Sequence, residues 1–345
     1  MKTIPPLSTT CIGSVPFTDV DQTLELLARV CPHLPCWPQM VALSPREDMV
    51  LQAVDGLPLL EADVKQGRVV VSDRPREAAL TEFYEHFLAG DWDHFAVPAE
   101  AGSGFPALLK RAAADPSFGP DFLKAQIIGP VSFGLSVRTP EGKTLLDDPD
   151  LADTVVKGLG AKAAWLAGRI RAVDRTPVIF LDEPGLTGLG SAFSNLERGQ
   201  VRAMLDEAAG LARSGGETLV GTHICGNTDW GLVAECDLDI IDFDAYGYLD
   251  HFLLYPRELK AFLEKGGYVA WGIVPTRDFT GRETAEELAG RLSAGWAGLA
   301  GRGVDPDLIR RRTILTPSCG TGAISREFAL AVHELLPRVA ERLQG

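Results

Sequence analysis

The sequence predicts an α/β protein built as a single (β/α)₈ barrel of the TIM type. Short apolar runs bounded by glycine or proline alternate along the chain with longer segments of helical periodicity. This alternation is typical of parallel strands joined by helices. About eight such strand–helix units follow one another, the number that closes a barrel. The chain has 345 residues, 46% of them hydrophobic, which suffices for one barrel domain, and we see no linker that divides residues 1–345.

Apolar runs that end in turn signals are the predicted barrel strands. The first ends in a Gly-Ser turn, the third ends in a Gly-Pro turn, and the fourth stops at Pro184. Such residues interrupt strand pairing and favour turns. The predicted strands cover residues 9–14, 94–98, 125–130, 177–184, 219–225, 240–244, 268–274 and 313–319.

Helical periodicity predicts the connecting helices. Asp19 precedes the first of them, and we expect it to cap that helix because aspartate accepts hydrogen bonds from the first free backbone N–H groups. Residues 31–75 are irregular and proline-rich, so we expect an insertion there, with short strands or a hairpin around residues 59–71. The predicted helices cover residues 20–30, 76–88, 151–172, 196–213, 256–265, 284–299 and 324–343.

Composition and charge exclude several classes of function. The net charge is −14, from 33 basic and 47 acidic residues, and an acidic surface repels nucleic acid. No stretch has the roughly 18 uninterrupted apolar residues of a membrane helix, and the start lacks the apolar core of a signal peptide. Six cysteines in so long a chain do not form a disulfide framework. We therefore expect a cytoplasmic protein with a small-molecule substrate.

A His-x-Cys pair at the end of one predicted strand is the main sign of chemistry. His223 and Cys225 are two residues apart and therefore share one face of the strand. Imidazole and thiolate are ligands that Zn²⁺ prefers. Cys319 ends the last apolar run, and Asp244 ends the run after the His-x-Cys strand, so both are candidates to complete the site at the barrel mouth. Ordinary buried thiols, and helix capping by Asp244, are the structural alternatives.

Two adjacent carboxylates end the fourth predicted strand. Asp182 and Glu183 point to opposite faces because side chains alternate along a strand, so only one can face the site. Asp182 is our candidate, and helix capping is the alternative for this pair. Ser14 also lies at a strand end, where it can reach the same site.

The expected zinc ligands indicate the kind of reaction. Two thiolates, one carboxylate and one imidazole give the zinc centre a net charge near −1, which makes it a poor Lewis acid for hydrolysis. Such a centre suits the binding of an incoming thiol as a nucleophilic thiolate. The predicted chemistry is alkyl transfer to sulfur.

These residues occur in stretches that resemble the cobalamin-independent methionine synthases, in the superfamily that also includes uroporphyrinogen decarboxylase. The resemblance covers essentially the whole chain and corresponds to the C-terminal catalytic half of the full-length enzymes. The matching stretches are residues 9–14, 46–50, 129–132, 181–184, 223–225 and 317–320.

The resemblance implies a role for each candidate residue. In that family a histidine, two cysteines and a glutamate bind zinc, and the glutamate falls on Asp244 here. The resemblance also implies that Ser14 holds the carboxylate of the homocysteine substrate and that Asp182 holds its amino group.

Two departures from the family pattern concern the substrates. A second acid that meets the amino group is replaced by Leu51, and a histidine thought to protonate methylfolate is replaced by Val274. Methylfolate needs a general acid when its methyl group leaves, whereas a methylcorrinoid does not. This difference favours a methylcorrinoid. Methylcobalamin and methyltetrahydrofolate both stay open as the methyl donor, and a corrinoid protein is a candidate partner.

The expected function is zinc-dependent transfer of a methyl group from a methylcorrinoid or methylfolate to a small thiol, with homocysteine as the leading acceptor. The stretch around His223 also resembles methylcobamide:coenzyme M methyltransferases, which use a different thiol. A non-catalytic barrel that binds zinc or a corrinoid is the alternative from another class of protein.

Overall fold

A curled, seven-stranded parallel sheet forms the centre of the molecule. The computed structural model describes residues 2–189 and 196–344. The parallel sheet has the strand order β1-β9-β8-β7-β6-β5-β4, and β2 pairs with β3 in a separate antiparallel hairpin. The strands are β1 (Ser8–Thr9), β2 (Leu60–Asp63), β3 (Arg68–Val71), β4 (Phe122–Ile128), β5 (Thr176–Asp182), β6 (Leu219–Ile224), β7 (Ile240–Phe243), β8 (Tyr268–Val274) and β9 (Thr313–Pro317).

Helices connect the parallel strands and cover the outer face of the sheet. Within the described ranges, none of them is long and apolar enough to cross a lipid bilayer. The helices are α1 (Val20–Val30), α2 (Arg76–Ala89), α3 (Gly104–Ala114), α4 (Pro130–Ser136), α5 (Pro149–Arg171), α6 (Arg198–Arg213), α7 (Trp230–Glu235), α8 (Ala245–Phe252), α9 (Pro256–Glu264), α10 (Ala285–Ala300), α11 (Pro306–Arg311) and α12 (Arg326–Gln344).

The sheet is buried on both faces, as expected for parallel strands flanked by helices. Every residue of β4 and β8 is buried. A large apolar core lies between strands and helices, while a smaller cluster fills the space that the curled sheet encloses. The members of the smaller cluster are Ile4, Leu34, Phe122, Val178, Phe180, Leu219, Ile240, Tyr268, Ala270 and Ile314.

The structure differs from the expected closed barrel of eight strands, because the parallel sheet of the described residues has seven strands and does not close. Residues 94–98, predicted to be the second strand, instead lie partly in a short 3₁₀ helix, Trp92–Phe95. The carbonyl oxygen of Phe95 accepts a 2.8 Å hydrogen bond from the buried ammonium group of Lys162, so it is not available to a strand ladder. Apolar composition alone did not reveal this tertiary contact.

A segment of the predicted insertion lies between the two edge strands of the sheet. Gln39 forms an isolated parallel bridge with Ser14, and Cys36 forms another with Lys124 in β4. Prolines lie immediately before Cys36 and two residues after it, and a proline cannot donate to a ladder. Residues 35–39 therefore link the sheet edges without forming a regular eighth strand.

Other local predictions are confirmed. The hairpin expected around residues 59–71 is the β2–β3 pair, with Leu60 opposite Val71. The carboxylate of Asp19 accepts a hydrogen bond from the backbone N–H of Gln22 and caps α1. These features depend on short-range periodicity and capping chemistry, which the sequence carries directly.

Candidate metal and substrate site

Three polar side chains lie in one row across adjacent strands. Asp182 in β5 is in register with His223 in β6, and His223 is in register with Asp242 in β7. Residues in register on parallel strands point to the same side of the sheet. Cys225 follows His223 by two residues, so it continues this face just beyond the carboxyl end of β6.

His223, Cys225 and Cys319 form a compact group of potential metal ligands. One ligand atom from each lies within 4.8 Å of the others. Zinc–sulfur bonds of about 2.3 Å and zinc–nitrogen bonds of about 2.0–2.1 Å place tetrahedral ligand atoms roughly 3.5–3.8 Å apart. Both ring nitrogens of buried His223 lack a hydrogen-bond partner in the described part of the chain. The three side chains therefore fit zinc with little movement.

Mutual interactions favour a thiolate and an imidazolium in this group. The hydrogen bond with Cys319 is the main cause that lowers the pKa of Cys225 to about 6, and His223 lowers it further. The same hydrogen bond raises the pKa of Cys319 well above its usual range. Burial lowers the pKa of His223, but the negative charges of Asp242, Asp182 and Cys225 together outweigh burial and raise it to about 9.

Asp244 lies at the end of β7 but outside the compact ligand group. Its carboxylate accepts a 2.7 Å hydrogen bond from the backbone N–H of Gly247 and caps α8. Burial raises the pKa of Asp244. The negative charge of Cys225 adds to this rise, whereas the hydrogen bond from Gly247 and the positive charge of His223 oppose it. Helix capping, the alternative that the sequence left open, is thus present, and zinc ligation by Asp244 stays a prediction.

A pocket of about 410 Å³ adjoins the ligand group. Other depressions, such as one of about 520 Å³ beside Arg46 and Asp55, lack a comparable group of ligands among the described residues. The wall includes both residues predicted to orient a substrate, Ser14 and Asp182. It is formed by Ile12, Ser14, Gln39, Val41, Glu47, Asp48, Met49, Asp182, Pro184, His223, Cys225, Arg277, Cys319, Gly320, Gly322, Ala323 and Ile324.

The adjacent carboxylates of Asp182 and Glu183 have different environments, as strand alternation predicts. One oxygen of Asp182 is buried without a hydrogen-bond partner in the described chain, and burial raises the pKa of Asp182 to about 7. Glu183 instead accepts hydrogen bonds from Val131 N at 3.0 Å, Ser132 N at 2.7 Å and Ser132 Oγ at 2.6 Å. Glu183 therefore holds the start of α4, and Asp182 is available to a ligand.

Backbone contacts hold Ser14 beside the loop that follows Cys319. The Ser14 carbonyl oxygen accepts a 2.9 Å hydrogen bond from the Thr321 backbone N–H. A Cβ atom added to Gly320 would lie 2.1 Å from Ser14 Oγ. The absence of a side chain at Gly320 thus leaves room for the serine hydroxyl at the pocket wall.

Sequence reasoning missed Arg277 and left open whether Trp37, Gln39 or Arg46 lines the pocket. Gln39 and Arg277 line it, and nothing in their local patterns distinguishes them from ordinary loop residues. Trp37 and Arg46 are outside that wall, and Arg46 forms an ion pair with Asp55. Only the tertiary structure shows that Gln39 and Arg277 line the pocket and that Trp37 and Arg46 do not.

Asp242 was missed as a neighbour of His223, although a signal was present. It precedes Asp244 by two residues, so strand alternation places both carboxylates on one face of the strand, but its position beside His223 depends on the register between β6 and β7. Its Oδ1 atom lies 3.4 Å from His223 Nδ1, a contact that falls short of formed hydrogen-bond geometry.

The fold is similar to those of solved methionine synthases. A B12-independent methionine synthase from Shewanella sp. W3-18-1, in complex with selenomethionine, gives a TM-score of 0.61 at 16% identity over 98% of each chain. A Listeria monocytogenes protein described as a vitamin-B12-independent methionine synthase gives 0.58 at 14% identity over 100% of each chain. A methyltransferase from Methanosarcina mazei gives 0.51 at 15% identity, over 98% of this chain and 94% of that one.

These comparisons confirm the resemblance seen in the sequence at the level of the fold. No protein-family model matches the chain, and no curated protein is significantly similar to it. At 14–16% identity, fold can be shared without function. The assignment of activity therefore depends on the chemistry of the site.

Proposed function

We propose that this protein is a zinc-dependent methyltransferase that moves a methyl group from a methylcorrinoid or methylfolate to a small thiol. The observation that carries the proposal is the convergence of His223, Cys225 and Cys319 beside a pocket of about 410 Å³. Bound zinc would lower the pKa of an incoming thiol and keep its sulfur nucleophilic. The residues of the chain would hold the metal and orient the acceptor.

The pocket favours an acceptor that carries both an amino group and a carboxylate. Asp182 presents a buried oxygen without a partner among the described residues, which suits a cationic amino group. Ser14 and Arg277, on the same wall, can bind a carboxylate. Homocysteine has both groups, whereas coenzyme M lacks an amino group, so homocysteine is the preferred acceptor.

The donor side of the proposal favours a methylcorrinoid. In the transfer, the acceptor sulfur forms a bond to the methyl carbon while the bond to the donor breaks and its electron pair stays with the donor. A folate amine needs a proton at this step, whereas a corrinoid leaves as Co(I). Val274 is a buried apolar residue at the end of β8, and His223 is the histidine on the described pocket wall. Because His223 is a proposed metal ligand, it is not available to protonate a folate.

Two neighbouring structures support the proposal through what they are described to do. The Shewanella synthase was solved with selenomethionine, an analogue of the methylated product of homocysteine. The Methanosarcina protein is a methyltransferase. The first agrees with a methyl transfer whose acceptor atom is sulfur, and the second agrees with methyl transfer in general.

Metal analysis of cysteine variants tests the zinc site. We expect Cys225→Ser and Cys319→Ser to lose most bound zinc, because each removes one of three converging ligands. Cys236→Ser is the matched control, since Cys236 lies at the end of α7 and its thiol donates to the Leu232 carbonyl oxygen. Wild-type zinc content in both site variants would refute the proposal.

A methyl-transfer assay then tests the reaction. Methylcobalamin and methyltetrahydrofolate are each combined with homocysteine and with coenzyme M. Methionine formation from methylcobalamin is the expected result. A protein that binds zinc tightly but transfers no methyl group in any combination would be the non-catalytic barrel. Zinc–sulfur coordination that is unchanged by homocysteine would point the same way.

A further inference from the structure

Asp242 is a fully buried carboxylate beside the proposed metal group. It lies in β7 with no exposed surface and is in register with His223 in β6. Its Oδ1 accepts a 3.1 Å hydrogen bond from Thr316 Oγ1 and lies 3.4 Å from His223 Nδ1. Its Oδ2 has no partner in the described part of the chain.

Such an environment is unfavourable for a carboxylate unless a neighbour compensates for lost hydration. Thr316 supplies one hydroxyl donor, and the ring of His223 is the other group that faces Oδ1. Thr316 belongs to β9, the strand that leads to Cys319. The contacts from Thr316 through Asp242 to His223 therefore connect the strands that carry two proposed ligands.

We infer that Asp242 is a positioning residue that holds the Nδ1–H of His223 and so leaves Nε2 free to bind the metal. The inference rests on the proposed zinc site. A histidine ligand commonly donates its second ring N–H to a carboxylate, which fixes the tautomer and the ring orientation. Modest shortening of the 3.4 Å contact completes that hydrogen bond when the metal group closes.

Asp182 is the competing carboxylate on the other side of His223. It is in register with the histidine, but no ion pair within 4.0 Å joins the two among the described residues. Asp182 also lines the pocket, where a substrate can reach it, and Asp242 is absent from that wall. The two aspartates thus have separate roles, one toward the substrate and the other toward the histidine.

Zinc affinity measured by chelator competition tests the inference without any activity assay. We expect Asp242→Asn to weaken zinc binding by about 10–100-fold, the usual effect of losing such a partner. Thr316→Val, which removes only the hydroxyl that orients Asp242, gives a smaller fall in the same direction. Asp239→Asn is the matched control, because Asp239 immediately precedes β7 but pairs with Arg213. It keeps wild-type affinity.

The position of the metal on the ring provides a direct readout. Protein loaded with ¹¹³Cd and labelled with ¹⁵N-histidine shows one-bond coupling at Nε2 of His223, identified by its loss in His223→Gln. The Nδ1 of His223 remains protonated in the wild type. A purely structural aspartate would not determine which nitrogen binds the metal.

Several results would overturn the inference. Coupling at Nδ1 would refute it, as would zinc affinity in Asp242→Asn within twofold of the wild type. If Asp242→Asn does not fold, the wild-type coupling and the Thr316→Val affinity decide the matter. A wild-type protein that binds no zinc would remove the proposed function together with the inference. Normal zinc binding with an unchanged Asp242→Asn variant would refute the inference alone.

Discussion

Replacement of Asp182 by asparagine is expected to stabilise the metal-free protein at alkaline pH. Burial raises the pKa of Asp182 from 3.8 to about 7 in the folded state. The folded protein therefore retains a proton that the unfolded chain has already lost, so its stability falls as pH rises from about 4 to 7. Asparagine has nearly the same shape and no proton to lose, so it removes this loss.

The size of the effect follows from the change in pKa. A rise from 3.8 to about 7 corresponds to about 4 kcal/mol between the two protonation states. The positive charges of Lys124 and His223 already favour the carboxylate and would lose that attraction in the variant. We therefore expect Asp182→Asn to raise the free energy of unfolding at pH 8 by about 2–4 kcal/mol and to change it little near pH 4.

Urea unfolding of chelator-treated protein at pH 5.5, 6.5 and 8 provides the measurement. The advantage of the variant should grow across this series. Asp278→Asn, a change at an exposed residue, controls for net charge and should stay within about 0.5 kcal/mol of the wild type. An Asp182→Asn variant that is equally or less stable at pH 8 would refute the reasoning. If Asp182 holds the acceptor, the stabilised variant should also lose methyl-transfer activity.

Three further changes test separate parts of the structure. Glu183→Gln should lower the free energy of unfolding by about 1–3 kcal/mol in urea, because an amide cannot accept from every donor at the start of α4. Gly320→Ala should raise the homocysteine KM about tenfold, as Ser14→Ala does, with zinc content unchanged, because its Cβ would displace Ser14 Oγ. Burial lowers the pKa of Lys162 from 10.5 to about 7. Between these values the unfolded chain binds a proton that the folded protein has lost, so the free energy of unfolding should rise from pH 7 to 10. Lys162→Met should abolish that rise, as measured by urea unfolding.

Each of these expectations has a contradicting result. Wild-type stability of Glu183→Gln would show that the three donors find other acceptors. Loss of zinc in Gly320→Ala would show that the loop positions Cys319 rather than Ser14. A wild-type pH profile in Lys162→Met would assign the rise to other groups.

Much of the fold was predictable because its signals are local. The apolar runs that became β4 to β9 are bounded by turn residues, and Asp19 caps α1 as its chemistry predicts. The strand predicted at residues 94–98 failed because Lys162, distant in sequence, binds the carbonyl oxygen of Phe95. Residues 35–39 were assigned to an insertion because prolines weaken the strand pattern, yet they bridge both sheet edges.

The candidate site divides in the same way. Strand alternation by itself placed His223 and Cys225 on one face and separated Asp182 from Glu183. Whether Cys319 would meet that pair depended on the register between strands, and the capping of α8 by Asp244 depended on where that helix begins. Arg277 carried no local signal at all.

The sequence by itself determined the apolar runs that became β4 to β9 and which side chains share a face within each of them, because the two-residue period of a strand is a property of the local backbone. Only the tertiary structure decided which side chains from different strands come within a few ångströms of one another. Those distances depend on strand register, sheet curvature and helix packing, and each of these is set by the burial of the whole apolar core.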